Sequence, residues 1–302
     1  MVRLLVTSPS PPRRGYVLLM TLVVLGLAAS AFSVVALRSL QAASSARLAE
    51  EQLRRRWAVR SAQWTLGRCA GELLDRAGEQ SPTPLRSVRI EYELAGRSYL
   101  ALVGDEEAKV NVNYLYRRLG REQTQRVLRV LLGPSPLDIR LLPRHVPPSD
   151  STPRTSASSD AGPLIAPFVS YGQLFTLASP EHLVDTEGRE ARPADQITCW
   201  GSGRLNYRTA SDQAMAAVCE GTLDALETAG LLRLRRERPN LELPAMVAQL
   251  QLSKEKRQAI LSLLTDQTRC FSVWMVCRDD LRTWYDLAII DGDSSKALRF
   301  AW

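Results

Sequence analysis

The sequence predicts a mixed α+β protein in which one long N-terminal helix lies on an antiparallel sheet. Three observations support this class. An uninterrupted apolar helix opens the chain, two alternating segments follow it, and further alternating segments close the chain. The residues between the two groups of alternating segments carry helix start and stop signals instead. The sheet is therefore expected to be split in sequence, with a helical region inserted between its strands.

The opening helix is long and apolar enough to cross a membrane. Its 22 residues from Tyr16 to Leu37 contain neither a charge nor a proline, and about 20 apolar residues suffice to span a bilayer core. Because Arg13 and Arg14 precede the apolar run and no acid does, the positive-inside rule predicts a cytoplasmic N-terminus. Everything after Leu37 is then expected on the other side of the membrane.

The same helix is expected to continue without a break to about Ala77, since residues 38–77 are rich in Ala, Leu, Arg, Glu and Gln and lack proline. Leu53, Trp57 and Trp64 recur at helical spacing within this part. We predict that this apolar stripe is buried against one face of the sheet.

The junction of leader and helix resembles a prepilin-type signal. A short, basic, Pro/Ser-rich leader ends at Gly15, and Tyr16 opens the apolar helix. In that family a prepilin peptidase cuts after the glycine, which here means between Gly15 and Tyr16. The alternative is an ordinary secretory signal, since Ala29-Ser30-Ala31 fits its cleavage pattern. The prepilin interpretation is favoured because the helical pattern runs on well beyond Ala31.

Five segments have the alternating pattern of half-buried strands. The first pair, residues 87–94 and 98–103, is joined by a turn at Ala95-Gly96-Arg97. The last three segments are residues 269–277, 283–290 and 297–302. Helices are expected at residues 122–132, at 212–219 after a cap at Thr209 or Ser211, and at 241–264 with interruptions at Pro244 and Ser253.

Two short phrases with asparagines repeat within the chain. The first, in the stretch from Gly104 to Leu115, has five characteristic residues: Asp105, Glu106, Lys109, Asn111 and Asn113. The second, in the stretch from Gly203 to Ser211, has three: Arg204, Asn206 and Thr209. Asparagine side chains can satisfy free backbone donors where a strand gives way to a helix. Each phrase is therefore expected to join a strand to a helix.

In this order, the two phrases resemble the signature of the minor pseudopilin K family of type II secretion, GspK. The resemblance covers most of the chain outside residues 133–167, and Arg208 stands where the family has a second asparagine. It implies a pilin-like fold, in which a long N-terminal transmembrane helix lies on an antiparallel sheet, with an inserted SAM-like all-α domain. The implied organisation is a leader (1–15), a transmembrane helix (16–37), the pilin-like helix and first strands (38–108), the inserted domain (109–265) and C-terminal strands (266–302).

The resemblance also implies a function and partners. A minor pseudopilin of this kind sits at the tip of the pseudopilus, helps to start its assembly and supports protein export across the outer membrane. Its partners would be I- and J-type minor pseudopilins, the prepilin peptidase and the inner-membrane platform of type II secretion, and its N-terminus would be methylated. Pilins usually carry a glutamate five residues after the cut, whereas this chain has Met20. The alternative function is a membrane-anchored or secreted periplasmic adaptor without a pilus role.

Other function classes receive little support from the residues. The 302-residue chain has two histidines and no phosphate-binding loop, so we expect no enzymatic activity. The net charge of +7 is spread along the chain, and we expect no nucleic-acid partner. Asp291 and Asp293 form either a polar turn or a calcium site, since carboxylates suit a hard cation. The five cysteines leave at least one thiol unpaired within the chain, and their connectivity stays open.

Residues 133–167 are expected to form a long, partly disordered linker. This segment holds eight of the 17 prolines and several runs of serine. Such a composition buries little apolar surface, which leaves the cost of ordering the backbone unmet. Proteolysis is therefore expected first between Pro147 and Pro163.

Overall fold

The computed structural model describes residues 14–81, 85–94, 96–133, 137–139, 141, 168–176, 180–187, 192–279, 282–292 and 297–301. The chain divides into two compact units, Met1–Ala58 and Val59–Trp302. The first unit is described from residue 14 onward as helix. The second unit contains both the sheet and the inserted helices. The five segments expected from the sequence stay predictions.

The N-terminal helix α1 spans Arg14–Arg68 and is followed by α2, Ala70–Glu79. The described residues include one helix that is long and apolar enough to cross a membrane. The expected unbroken helix to Ala77 is wrong in one detail, because Cys69 leaves the helical conformation with φ −100° and ψ 8°. The helical path then resumes and ends two residues later than predicted.

The main sheet has five antiparallel strands in the order β1-β2-β7-β8-β9. These are β1 (Ser87–Leu94), β2 (Arg97–Asp105), β7 (Cys270–Asp279), β8 (Arg282–Asp291) and β9 (Ala297–Ala301). All five expected strands are confirmed. Strand β7 pairs with β2 across the sheet, so the insertion begins and ends between two neighbouring strands.

The inserted region contains eight helices among the described residues. They are α3 (Val112–Leu132), α4 (Tyr171–Leu174), α5 (Pro180–Leu183), α6 (Pro193–Gln196), α7 (Asp212–Cys219), α8 (Ala225–Glu237), α9 (Leu243–Gln249) and α10 (Lys254–Leu263). It is not purely helical, because β3 (Val110–Asn111) pairs in parallel with β4 (Ile197–Thr198), and β5 (Leu205–Asn206) pairs in parallel with β6 (Leu264–Thr265). The helix expected at 212–219 is confirmed, and the one expected at 241–264 is split into α9 and α10 with Ser253 as N-cap of the second. Pro244 does not interrupt it, since this proline lies in the first turn of α9. Helix α8 was not predicted, although Asp224 and Glu227 form a capping box that marks its start.

Helix α3 is longer than the predicted segment 122–132. It begins directly after Asn111 and changes direction at Gly120, whose φ of 73° lies in the left-handed region. A glycine adopts this conformation without the cost that a Cβ would impose. Gly133, also with positive φ, ends the helix as expected.

The sheet is covered on both faces within the second unit. On one face, Gly67 of α1 and Gly71 of α2 approach Ile290 and Phe271, which are cross-strand partners. On the other face, Trp274 and Leu287 belong to the same buried cluster as the core of the inserted helices. Strand β7 is therefore buried on both sides, which explains its almost unbroken apolar sequence.

The expected apolar stripe on the N-terminal helix is wrong. Leu53, Trp57 and Trp64 are 57%, 63% and 49% exposed. The residues that α1 and α2 bury in the second unit include Val59, Gln63, Ala70 and Leu74. The helix comes close to the sheet at Gly67, where an added Cβ would overlap the Cδ1 of Ile290.

Most of the predicted linker 133–167 lies outside the described residues, including the proposed cleavage region 147–163. The described part departs from the expectation of little burial. Leu137, Ile139 and Leu141 are 7%, 6% and 0% exposed, and Ile139 makes a β-bridge to Phe175. Apolar residues at every second position anchor this short segment in the core.

Candidate functional site: a buried polar junction

The two asparagine phrases meet at one buried junction between the sheet and the inserted helices. We call this the polar junction and define it by the charged and polar side chains of the two phrases and their partners, which are Asp105, Glu106, Glu107, Lys109, Asn111, Asn113, Thr198, Asn206, Thr209 and Thr268. Asp105, Glu106 and Glu107 are at most 3% exposed. Burying charges is costly unless each is paired or hydrogen-bonded. The contacts of each carboxylate therefore decide whether the junction is stable.

Asp105, at the end of β2, accepts hydrogen bonds on both carboxylate oxygens. Oδ1 accepts from the backbone N–H of Glu107 (2.8 Å) and of Ala108 (3.1 Å). Oδ2 accepts from Thr209 Oγ1 and Thr268 Oγ1, each at 2.7 Å, and from Asn206 Nδ2 at 3.3 Å. One carboxylate thus ties the first phrase to the second and to the entry of β7.

Burial raises the pKa of Asp105 above its ordinary value, and hydrogen bonds from Thr209, Thr268 and two backbone amides partly offset this. The desolvation of the charged form is the larger effect. The hydrogen bonds that offset it come from neutral donors. The Asp105 carboxylate therefore depends on neutral hydrogen-bond donors for its stability.

Glu106 and Lys109 form a buried ion pair. Lys109 Nζ donates to Glu106 Oε1, and Thr198 Oγ1 donates to the other carboxylate oxygen. The two side chains are 0% and 6% exposed. Breaking such a pair leaves one charge buried without compensation, which costs more than the pair contributes.

Glu107 connects the junction to two further loops. Its Oε2 accepts from the backbone N–H of Arg269 at 2.6 Å, and its Oε1 accepts from that of Ser202 at 3.3 Å. Its backbone carbonyl accepts from the N–H of Asn206 at 2.6 Å. The Cα of Gly201 lies close by with a φ of 86°, and a side chain there would contact Glu107 and Cys270.

The asparagines of the first phrase act differently from each other. Asn111 caps α3, since its Oδ1 accepts from the N–H of Tyr114 at 3.0 Å, while its Nδ2 donates to the carbonyl of Trp200 at 2.6 Å. Asn113 instead bridges two loops: it exchanges hydrogen bonds with the backbone of Phe168 and donates to the carbonyl of Cys199 at 2.9 Å. Asn111 thus satisfies a backbone donor of the helix it caps, whereas Asn113 satisfies a backbone donor of a distant loop.

In the second phrase, Asn206 continues the junction and Arg204 lies at its edge. Asn206 lies in β5, donates to Thr268 Oγ1 at 2.7 Å and accepts from the N–H of Arg208 at 3.1 Å. Arg204 donates to the carbonyls of Leu264 and Leu261 at the end of α10. A cation is favourable at a helix C-terminus, where carbonyls lack partners. Ser211, not Thr209, caps α7.

The two phrases adopt matching local structures. Val110–Asn111 and Leu205–Asn206 each form a two-residue strand with a parallel partner, and a helix follows each. The internal repeat read from the sequence therefore has a structural counterpart. The match ends at Asn113 of the first phrase and the corresponding Arg208 of the second. Asn113 bridges two loops, whereas the Arg208 guanidinium lies over the ring of Tyr207, 5.7 Å from its centroid.

Three partners of the junction carried no local sequence signal. Thr198 and Thr268 are single neutral residues in segments with no motif, and the Trp200 carbonyl is backbone. Glu107 lies inside the first phrase but was not among its candidate residues. The adjacency of Glu107 to Asp105 and Glu106 was the signal that could have identified it.

The other candidate residues lie elsewhere. Gly15 and Tyr16 lie in the first turns of α1, and Tyr16 is 61% exposed. Asp291 ends β8, and Asp293 lies outside the described residues. Within the described part of the chain, no group of three or more His, Cys, Asp or Glu side chains could hold a metal ion. The junction carboxylates take their hydrogen bonds from protein donors, an arrangement that holds loops together.

The chain matches a solved structure in its fold, although no family model matches its sequence. No curated protein matches the chain either. One chain of the crystal structure of the GspK-GspI-GspJ complex from the enterotoxigenic Escherichia coli Type 2 Secretion System matches with a TM-score of 0.51. The chain therefore shares the fold of one chain of that complex. At 15% identity, the match covers 85% of this chain and 98% of that chain.

This comparison confirms the predicted fold class: a long apolar N-terminal helix, an antiparallel sheet and a helical insertion. The SAM-like character of the insertion and the roles of the phrase residues stay predictions. The single apolar helix is consistent with a single-pass membrane anchor.

Proposed function

We propose that this chain is a K-type minor pseudopilin of a type II secretion system. The observation that carries the proposal is the fold match, which covers 85% of this chain and 98% of a chain from the GspK-GspI-GspJ complex. A pilin fold without the helical insertion would match only part of this chain. The two asparagine phrases support the same family, because they resemble its signature in residue type and order.

In this proposal the chain anchors in the inner membrane with its N-terminus in the cytoplasm and its sheet and helices in the periplasm. A prepilin peptidase cuts between Gly15 and Tyr16. The arginines before the apolar run and the length of that run support this orientation.

The proposed position is the tip of the pseudopilus, together with I- and J-type minor pseudopilins. The presence of Met20 instead of a glutamate supports a position at the tip. A carboxylate inside the bilayer is costly unless it is paired, so a subunit with no neighbour ahead of it gains nothing from a glutamate there. From this position the chain would start assembly on the inner-membrane platform and support export.

The deciding experiment is co-purification of the full-length, tagged chain with the I- and J-like proteins of the same cell. We expect a stable complex of the three, and a block in secretion when the gene is deleted. A matched control is a tagged major pseudopilin, which should be found along filament shafts. Labelling of this chain along the shaft, or normal secretion without it, would contradict the proposal.

The alternative is a membrane-anchored adaptor without a pilus role. It shares the anchor but predicts no complex with pseudopilins. The same co-purification therefore distinguishes the two functions.

A further inference from the structure

We draw no further inference here: the strongest candidate, the exposed apolar surface patch that Leu53, Trp57 and Trp64 form along α1, carries nothing because nothing in the structure shows what covers it.

Discussion

At the scale of single residues, Asp105 has the largest number of partners in the polar junction. Its two oxygens accept five hydrogen bonds, all of them from neutral donors. Removing a buried group of this kind leaves several donors unsatisfied, and each such donor costs about 1 kcal/mol or more. The stability of the junction is therefore expected to depend strongly on this carboxylate.

We expect Asp105→Ala to lower the free energy of unfolding by about 3 kcal/mol or more. Asp75→Ala, at an exposed position of α2, is the control and should change it by less than about 0.5 kcal/mol. Chemical denaturation of the full-length protein in detergent measures both. Equal effects would show that the junction contributes no special stability.

The raised pKa of Asp105 predicts a pH dependence. The folded state binds a proton on this carboxyl more tightly than the unfolded chain does, so its contribution to stability is complete below the unfolded pKa of about 3.9. This contribution is lost as the pH rises through the folded pKa. We expect the unfolding free energy of wild type, minus that of D105N, to decrease as the pH rises from about 4. A difference that is constant with pH, or that increases, would contradict the shift.

At the scale of elements, the approach of α1 to the sheet depends on a glycine. A Cβ at Gly67 would overlap the Cδ1 of Ile290, so a large side chain there must push the helix away or force Ile290 into another rotamer. We expect Gly67→Leu to destabilise the fold by about 2 kcal/mol and Ile290→Ala to restore part of that loss. A double-mutant cycle measures the coupling. Strictly additive effects would mean that the two residues do not meet.

The change of direction in α3 depends on another glycine, for a different reason. Gly120 has a φ of 73°, and a Cβ would have no atom within 4 Å, so backbone conformation alone opposes substitution. We expect Gly120→Ala to cost about 1 kcal/mol. Gly78→Ala is the matched control, since it also has open space but no positive φ, and it should be neutral or stabilising. Thermal unfolding distinguishes the two variants.

At the scale of the whole molecule, processing at the N-terminus tests the prepilin interpretation. Because a peptidase at the membrane face needs a small residue at the cut, we expect Gly15→Leu to leave the precursor uncut. N-terminal sequencing of the wild-type protein should begin at Tyr16. A mature chain that begins at Phe32 would instead support the secretory signal after Ala31.

Met20 provides a second test at the same scale. We expect Met20→Glu to leave secretion unchanged or to reduce it mildly, because a tip subunit has no neighbouring amine to pair with a new carboxylate. A secretion assay in a strain that lacks the wild-type gene measures this. Improved secretion with Met20→Glu would argue for a place inside the filament.

The sequence by itself determined the periodic elements of this protein. The alternation of apolar and polar residues predicted the five strands of the main sheet, and the length of the apolar run predicted the N-terminal helix. Both patterns depend only on residues that are neighbours in the chain. The repetition of the two phrases suggests that they play similar structural roles. Thr198 and Thr268 could not be identified from the sequence, because they contact Glu106 and Asp105 only after distant segments have folded together. Tertiary structure alone decided which side of the N-terminal helix is buried. A side chain at Gly67 would overlap Ile290, so this glycine lies against the sheet, whereas Trp64 is half exposed.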